Sequence, residues 1–279
     1  MWGENKQEKI RGYSLDSLLC PVSGESRGKD RARAFLRPGF FRSLEKFFEF
    51  LFFPSFCQIC GKFLEAPEEK IVCRKCWEQV LPPPPGHCFQ CGRFCELAEI
   101  SFLCLDCLRQ PPWLTIHRSG FPYQGVLKEI ILLLKFKEYS CLARPLIDLA
   151  FRYFRDDHAL WEGVDLLVPV PLHSRREKER GYNQARLLAQ ALAEKVNLPW
   201  EAKVLKRIIN SPPQTSLKGK DRRKNVRNVF QVKKGQAIVG RIICLVDDVY
   251  TTGATLNECA RVLLNAGAKE VRAVTLAQA

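Results

Sequence analysis

The chain has 279 residues, which is enough for more than one domain. Its 46% hydrophobic and 27% charged residues exclude wholesale disorder and collagen-like sequence, and no apolar stretch approaches the roughly 18 residues of a membrane-spanning helix. The formal net charge of +14 favours polyanionic partners, namely phosphate ligands, nucleic acid or an anionic membrane surface.

The first 54 residues carry no chemical motif. Residues 1–38 mix charge with Gly and Ser and lack the apolar centre of a signal peptide, so we expect a basic, disordered segment and no export. Phe and Leu then recur at helical spacing over 39–54, which predicts an amphipathic helix that ends near Pro54. Its polar face mixes both charge signs, which favours docking on the protein's own body over a membrane surface.

Eight of the 13 cysteines form four Cys-x-x-Cys pairs. The pairs are Cys57 with Cys60, Cys73 with Cys76, Cys88 with Cys91, and Cys104 with Cys107. Twelve residues separate the two pairs of each half, and the array repeats with an offset of 31 residues. Because two such turns supply the four thiolates of a tetrahedral site, the spacing predicts a double zinc-ribbon domain over 55–112 with two structural Zn²⁺ ions. The order of pairing stays open, with Cys95 and His87 as spare ligands, and an iron–sulfur cluster is the alternative.

Longer periodic segments follow and indicate an α/β domain over 113–279. Apolar spacing predicts helices over Val126–Phe136, Cys141–Phe154, Asn183–Val196 and Thr255–Ala266. Short apolar or β-branched runs predict strands over Asp165–Val170, Asn228–Val232, Ile242–Val246 and Val271–Leu276. Strands that alternate with helices form mainly parallel sheets flanked by helices.

The segment after the strand Ile242–Val246 has the composition of a phosphate site. Asp247 and Asp248 follow the strand, and the turn Thr251–Thr255 then opens a helix. A turn rich in Gly and Thr at a helix N-terminus offers N–H groups, hydroxyls and a positive dipole end to a phosphate. Paired carboxylates beside it suit ribose hydroxyls and a Mg²⁺ on the same ligand. A strand that ends in solvated acids is the simpler alternative, and the complete string favours the functional interpretation.

Several motifs together carry a family resemblance. They are the cysteine array, Val168-Pro169-Val170-Pro171, Arg180-Gly181-Tyr182-Asn183-Gln184, Pro213-Gln214-Thr215, Arg222-Arg223-x-Asn225-Val226 and the string Ile242–Thr255. That string resembles the phosphoribosyl diphosphate (PRPP) signature of type I phosphoribosyltransferases. The wider pattern, from Phe47 to the C-terminus, resembles the ComF family of bacterial competence proteins. The resemblance implies a parallel sheet of the type I phosphoribosyltransferase kind.

The resemblance also implies roles for individual residues. Asp247 and Asp248 would hold the ribose hydroxyls of PRPP, which brings Mg²⁺ with it. The loop that holds the 5′-phosphate would consist of Thr251, Thr252, Gly253, Ala254 and Thr255. The loop that meets the diphosphate would contain Val170, Pro171, Leu172 and His173. Ser211–Asn225 would form a mobile hood over the ligand, and no residue is assigned to catalysis.

Positive charge is concentrated around these segments. Val170–Gly235 holds 17 Lys and Arg against 5 Asp and Glu, more than a small ligand requires. The basic residues predicted to contact single-stranded DNA are Arg175, Arg176, Lys178, Arg180, Lys220, Arg222 and Arg223. Neutralising phosphates releases counterions, and Tyr182 and Phe230 lie close enough in sequence to stack a base. A solvated basic face with core aromatics is the alternative.

Three functions follow from these features. The first is a cytoplasmic ComF-family protein that binds PRPP and single-stranded DNA during natural transformation. The resemblance implies a helicase-like competence protein as a partner, and membrane association through the competence machinery as an alternative location. The second is a metabolic phosphoribosyltransferase acting on an unidentified small nucleophile, and the third is a PRPP sensor without turnover. The sequence leaves open whether the protein is an enzyme.

Overall fold

The computed structural model describes residues 56–64, 69, 71–95, 102–136, 139–209, 228–233 and 235–279. The predicted segments 1–38 and 39–54 lie outside these residues, as does the predicted hood, Ser211–Asn225. In the part of the chain that is described, no helix combines the length and the apolar composition that crossing a membrane requires.

The chain divides into two compact units, Met1–Gln79 and Val80–Ala279. The division falls inside the predicted cysteine-rich domain 55–112, so the first two Cys-x-x-Cys pairs belong to one unit and the last two to the other. In the first unit, the short helix α1 (Arg74–Trp77) follows directly after Cys73.

The second unit begins with a small cysteine-rich part and continues as an α/β domain. The cysteine-rich part contains β1 (Gly86–His87), β2 (Phe94–Cys95) and α2 (Leu105–Arg109). The strands of the α/β domain are β3 (His117–Pro122), β4 (Val164–Pro169), β5 (Leu205–Arg207), β6 (Phe230–Val232), β7 (Ile242–Tyr250) and β8 (Glu270–Gln278). Its helices are α3 (Gly125–Phe136), α4 (Ala143–Phe151), α5 (His158–Trp161), α6 (Ser174–Arg180), α7 (Gln184–Val196) and α8 (Ala254–Asn265).

A four-stranded sheet in the order β3-β8-β7-β4 forms the centre of this unit, and every neighbouring pair is parallel. Ile243, Cys244 and Leu245 are consecutive in β7 and each is fully buried. Because successive residues of a strand point to opposite faces, both faces of the sheet are covered. Helix α7 packs on β4 and β7, and α8 packs on β8. The predicted α/β class with a parallel sheet is confirmed.

Local chemistry explains where the longest helices begin and end. The Asn183 side chain accepts a hydrogen bond from the backbone N–H of Ala185 at 2.9 Å and so caps the start of α7. After the last helical residue, Val196, Asn197 forms the C-cap in the left-handed conformation (φ +52°). The predicted helix Cys141–Phe154 is shorter than expected, because a 3₁₀ turn over Ser140–Leu142 precedes α4.

Candidate functional site

The first four cysteines of the array form one cluster, the first quartet: Cys57, Cys60, Cys73 and Cys76. Sγ of Cys57 lies 3.8 Å from Sγ of Cys76, and Sγ of Cys60 lies 3.7 Å from Sγ of Cys73. A tetrahedral zinc ion with Zn–S bonds of about 2.3 Å holds its sulfur atoms about 3.8 Å apart. The first quartet therefore has the dimensions of a four-sulfur zinc site.

The second quartet has the same geometry: Cys88, Cys91, Cys104 and Cys107. Its Sγ···Sγ distances are 3.9 Å between Cys88 and Cys107 and 3.7 Å between Cys91 and Cys104. The backbone N–H of Cys104 donates to the sulfur of Cys88 at 3.4 Å, which supports a thiolate there. The quartets follow chain order and are not interleaved, and neither includes His87 or Cys95 among the described residues. Both fit zinc.

The acid pair lies near the carboxyl end of β7, inside the strand. Strand β7 continues past the predicted end at Val246, because its pairing with β8 runs on to Tyr250 opposite Gln278. Asp248 is buried and Asp247 is partly buried, and the backbone N–H of Asp248 donates to Oδ1 of Asp247 at 2.9 Å. Burial, together with the charge of Asp248, raises the pKa of Asp247 to about 7.

Lys135 of α3 reaches this acid pair, a contact that sequence analysis missed. Its Nζ lies 3.1 Å from Oδ2 of Asp248, and its side chain is only 17% exposed. Apart from this ion pair, Oδ2 of Asp248 has no hydrogen-bond partner among the described residues, so it can accept a further hydrogen bond from a ligand. The only sequence signal was a lone lysine in the apolar run of α3, which is also typical of an ordinary amphipathic helix.

Arg180 is a predicted basic residue that interacts electrostatically with both acids. Its guanidinium lies over the ring of Phe136, 4.7 Å from the centroid, and its Nη1 donates to the side-chain oxygen of Gln184 at 3.1 Å. Burial lowers the pKa of Arg180, and the charge of Asp248 opposes that shift. Arg180 therefore belongs to the electrostatic environment of the acid pair.

The predicted phosphate loop, Thr251–Thr255, joins β7 to α8. Gly253 is the N-cap of α8 and has the left-handed conformation (φ +71°). The backbone N–H of Ala254 donates to the hydroxyl of Thr252 at 3.4 Å. Helix N-termini of this kind are suited to bind anions. A Cβ atom on Gly253 would lie 2.2 Å from the hydroxyl of Tyr250, so only glycine allows the loop to fold over that ring.

The predicted diphosphate loop, 170–173, starts beside the acids. The N–H of Val170 donates to the carbonyl of Val246 at 2.9 Å, one residue before Asp247. The side-chain N–H of Asn183 holds the carbonyl of Val170 at 3.0 Å. His173 caps α6, since its Nδ1 accepts from the N–H of Arg175 at 3.3 Å, which in a neutral ring leaves the proton on Nε2. The two loops and the acid pair therefore lie at one edge of the sheet.

Arg207 is a second residue that sequence analysis missed. It ends β5, lies opposite His173 in an isolated bridge and is buried, and its Nη2 has no hydrogen-bond partner among the described residues. Burial, followed by the charge of Arg176, lowers the pKa of Arg207. A buried guanidinium with an unmade hydrogen bond is costly unless something else satisfies it, and an anionic ligand would do so.

The basic residues predicted to contact DNA have different surroundings. Arg175 and Lys178 are exposed on α6, and Arg175 pairs with Glu179 at 3.0 Å. Arg176 is partly buried on the same helix, and three further predicted contacts, Lys220, Arg222 and Arg223, lie outside the described residues.

Phe230 and Tyr182 were predicted to stack a base, but both have structural contacts instead. Phe230 is 4% exposed in the core and cannot stack a base. The hydroxyl of Tyr182 donates to the carbonyl of Leu134 at 2.5 Å, so this ring ties residue 182 to α3. The core alternative was correct for Phe230.

The acid pair supplies only part of the ligands that a Mg²⁺ site requires. Asp247 and Asp248 offer carboxylate oxygens, but among the described residues the only clusters of three or more metal-binding side chains are the cysteine quartets. Magnesium commonly binds through one or two carboxylates together with substrate phosphates. The residues here fit an ion that arrives with a phosphorylated ligand, and they do not form a magnesium site of their own.

The family relationships agree with this architecture. A family model described as phosphoribosyl transferase domain matches residues 182–279. Competence protein F of Haemophilus influenzae is 36% identical over 176 residues, which cover 61% of this chain and 76% of that protein. DNA utilization protein YhgH of Salmonella typhimurium is 34% identical over 167 residues, 59% of this chain and 72% of the relative. Competence protein ComFC of Bacillus subtilis is 34% identical over 174 residues, 61% of this chain and 67% of the relative. The chain therefore belongs to the ComF family, with cysteine quartets of zinc-ribbon type followed by a phosphoribosyltransferase-type domain.

Proposed function

We propose that this protein binds PRPP together with Mg²⁺ at the carboxyl edge of the sheet. In this proposal Asp247 and Asp248 accept hydrogen bonds from the ribose hydroxyls, and Thr251–Thr255 receives the 5′-phosphate. The loop 170–173 and Arg207 meet the diphosphate. Asp247 and Asp248 would hold the Mg²⁺ ion together with the ligand's phosphates, and the ion would neutralise part of the diphosphate charge.

The observation that carries the proposal is the meeting of the two loops at the acid pair. Val170 is hydrogen-bonded beside Asp247, so a ligand held by the acids reaches the loop 170–173 on one side and Thr251–Thr255 on the other. Parallel α/β sheets bind ligands at the carboxyl ends of their strands. Within the described part of the chain, Nη2 of Arg207 has no hydrogen-bond partner and Oδ2 of Asp248 is paired with Lys135 alone. These two groups can serve as a donor and an acceptor for such a ligand.

Calorimetry with PRPP and MgCl₂ tests this proposal on the full chain. We expect Asp248→Asn to weaken PRPP binding by about 10- to 100-fold, the effect of losing a hydrogen bond to a charged group. Asp156→Asn is the matched control, because this exposed acid pairs with its chain neighbour Arg155. Wild-type protein that binds no PRPP, or an Asp248→Asn variant that binds it as tightly as the control, would refute the proposal.

We further propose that the protein handles single-stranded DNA in the cytosol during natural transformation, alongside a helicase-like partner. Two kinds of observation support this role: relatives are named for competence and DNA utilization, and α6 presents exposed cations next to the diphosphate loop. DNA bound by such cations releases counterions, so affinity must fall steeply with salt.

Fluorescence anisotropy with a labelled oligonucleotide at several salt concentrations tests the DNA proposal. The charge reversal Arg175→Glu/Lys178→Glu should weaken binding and reduce the slope of log affinity against log salt by about 0.7 for each phosphate that the variant no longer neutralises. Lys203→Glu, an exposed cation in another segment, is the control. A flat salt dependence would contradict the proposal. Release of diphosphate from PRPP with a small amine or base would instead indicate a metabolic transferase.

A further inference from the structure

One buried histidine connects the second quartet to the acid-bearing sheet. His117 is the first residue of β3 and is completely buried. Its ring contacts the cysteine-rich part of the second unit on one edge and β8 on the other. The same ring stacks on Tyr250, which immediately precedes the phosphate loop.

Toward the second quartet, β3 donates hydrogen bonds to the carbonyl groups of the turn that carries Cys91. The backbone N–H of His117 donates to the carbonyl of Gln90 at 2.8 Å, and the side chain of Arg118 donates to that of Phe89 at 2.8 Å. Nδ1 of His117 lies 2.8 Å from the carbonyl of Cys91 itself. A Cβ atom on Gly92 would lie 2.5 Å from the carbonyl oxygen of His117, so the turn and the strand are in close contact.

The orientation of the His117 ring is fixed on both edges. The ring is completely buried, and its two nitrogen atoms face a carbonyl oxygen and a hydroxyl group, an environment that suits the neutral form. A carbonyl oxygen only accepts, so Nδ1 carries the proton and donates to Cys91. Nε2 then accepts from the hydroxyl of Thr275 at 3.0 Å, and that oxygen accepts from Ser119 at 2.7 Å.

Toward the phosphate loop, the ring of Tyr250 packs between His117 and the loop residue Gly253. The centroids of the His117 and Tyr250 rings are 4.2 Å apart, and their planes are inclined by 20°. The loop folds over Tyr250 so closely that Gly253 has no room for a side chain. A displacement of the Cys91 carbonyl therefore reaches the loop through two rings in direct contact.

We propose that a metal ion in the second quartet sets the conformation of the phosphate loop through His117 and Tyr250, so that loss of the metal weakens phosphate binding there. The link itself involves only contacts within the second unit, whereas its effect on PRPP rests on the function proposed above. His117 and Tyr250 act as positioning residues, and neither needs to touch the ligand.

Hydrogen–deuterium exchange on the zinc-loaded full chain tests the link without any ligand. Cys107→Ser removes one ligand of the second quartet, and Cys95→Ser changes a cysteine of the same unit that belongs to neither quartet. We expect Cys107→Ser to lose one zinc ion and to increase amide exchange over 250–256 about tenfold, with Cys95→Ser unchanged in both. Loss of the metal with unchanged exchange over 250–256 would overturn the proposal.

A second pair of variants separates the link from a general loss of folding. His117→Gln should retain the zinc content and still increase exchange over 250–256, and Tyr250→Leu should do the same, whereas Tyr250→Phe keeps the ring and should preserve the loop. PRPP affinity should fall about tenfold in the first two. Wild-type protein that binds no PRPP would refute the proposed function alone, whereas wild-type exchange over 250–256 in His117→Gln would refute the link alone.

Discussion

Gly253 and Gly240 have the same φ angle but differ in their surroundings. Both have φ +71°, yet a Cβ atom on Gly253 would lie 2.2 Å from the Tyr250 hydroxyl, whereas one on Gly240 would have nothing within 4 Å. Gly240→Ala therefore adds only the cost of a left-handed residue, about 1–2 kcal/mol. Gly253→Ala adds the same cost and forces the stacked ring or the loop to move. Overpacking of this kind costs about 1–3 kcal/mol more.

Thermal unfolding of the two variants measures the difference. For a unit of the size of Val80–Ala279, 1 kcal/mol shifts Tm by about 2–4 °C. We expect Gly240→Ala to lower Tm by about 2–8 °C, and Gly253→Ala to lower it by about 2–12 °C beyond that. In a Tyr250→Leu background the extra decrease should largely vanish, because the obstructing ring is gone. Equal decreases for the two glycine variants would refute the close packing of the loop on Tyr250.

Other predictions concern charge and metal. Because the pKa of Asp247 is raised to about 7 in the folded protein, the folded state binds more protons than the unfolded state between about pH 4 and pH 7. Stability should therefore fall as pH rises through this window, and urea unfolding of Asp247→Asn should show a flatter profile. Cys76→Ser and Cys107→Ser should each reduce the zinc content from two ions to one by atomic absorption, and loss of both ions in either variant would contradict independent quartets. Lys135→Met should cost about 3–5 kcal/mol at pH 8, because it leaves Asp248 buried without its counter-charge. Lys135→Met/Asp248→Asn should recover most of that loss in urea unfolding, and an unrecovered loss would point to packing instead.

The features that sequence analysis predicted well depend on short-range chemistry. The spacing of the cysteines is itself a geometric requirement of a four-sulfur site, so the eight cysteines could be named from the sequence as candidate ligands. Their grouping into two quartets in chain order comes from the structure. The helix predicted over Asn183–Val196 begins one residue later, at Gln184, because Asn183 is its cap. These signals lie within a few residues of the structure that they specify.

The strands were harder to predict where neighbours override local preference. β7 continues through Asp247 and Asp248, two poor strand formers, because β8 pairs with it as far as Tyr250. β3 was not predicted at all, since His117–Pro122 is polar and contains Gly and Pro. It lies at the edge of the sheet beside β8, and Gly120 lies so close to Ala150 that a Cβ atom there would be 2.7 Å from the alanine methyl.

Lys135 and Arg207 were missed because the contacts that matter come from residues far away in the chain. Lys135 is separated from Asp248 by more than 100 residues, and the ion pair exists only because α3 ends beside the acid pair. In the sequence, Arg207 is one more cation in a basic segment. Its importance comes from its burial and from an N–H group that has no partner in the residues that the structure describes. Composition indicated that the region attracts anions, and only the fold distinguishes these two cations from the solvated ones.

The pairing of Lys135 with Asp248 bears on which ligands the site can distinguish. Inorganic phosphate lacks the sugar hydroxyl groups that would donate to the acids. It would therefore leave this ion pair intact and contact only the phosphate loop. A ribose that carries phosphates at both ends offers hydroxyl donors to the acids and, at the same time, anionic oxygens to the ammonium of Lys135 and the guanidinium of Arg207. The free energy lost when Lys135 and Asp248 separate is recovered only when one ligand supplies both kinds of group. Under the proposed function, the site would therefore favour a doubly phosphorylated ribose over either of its parts.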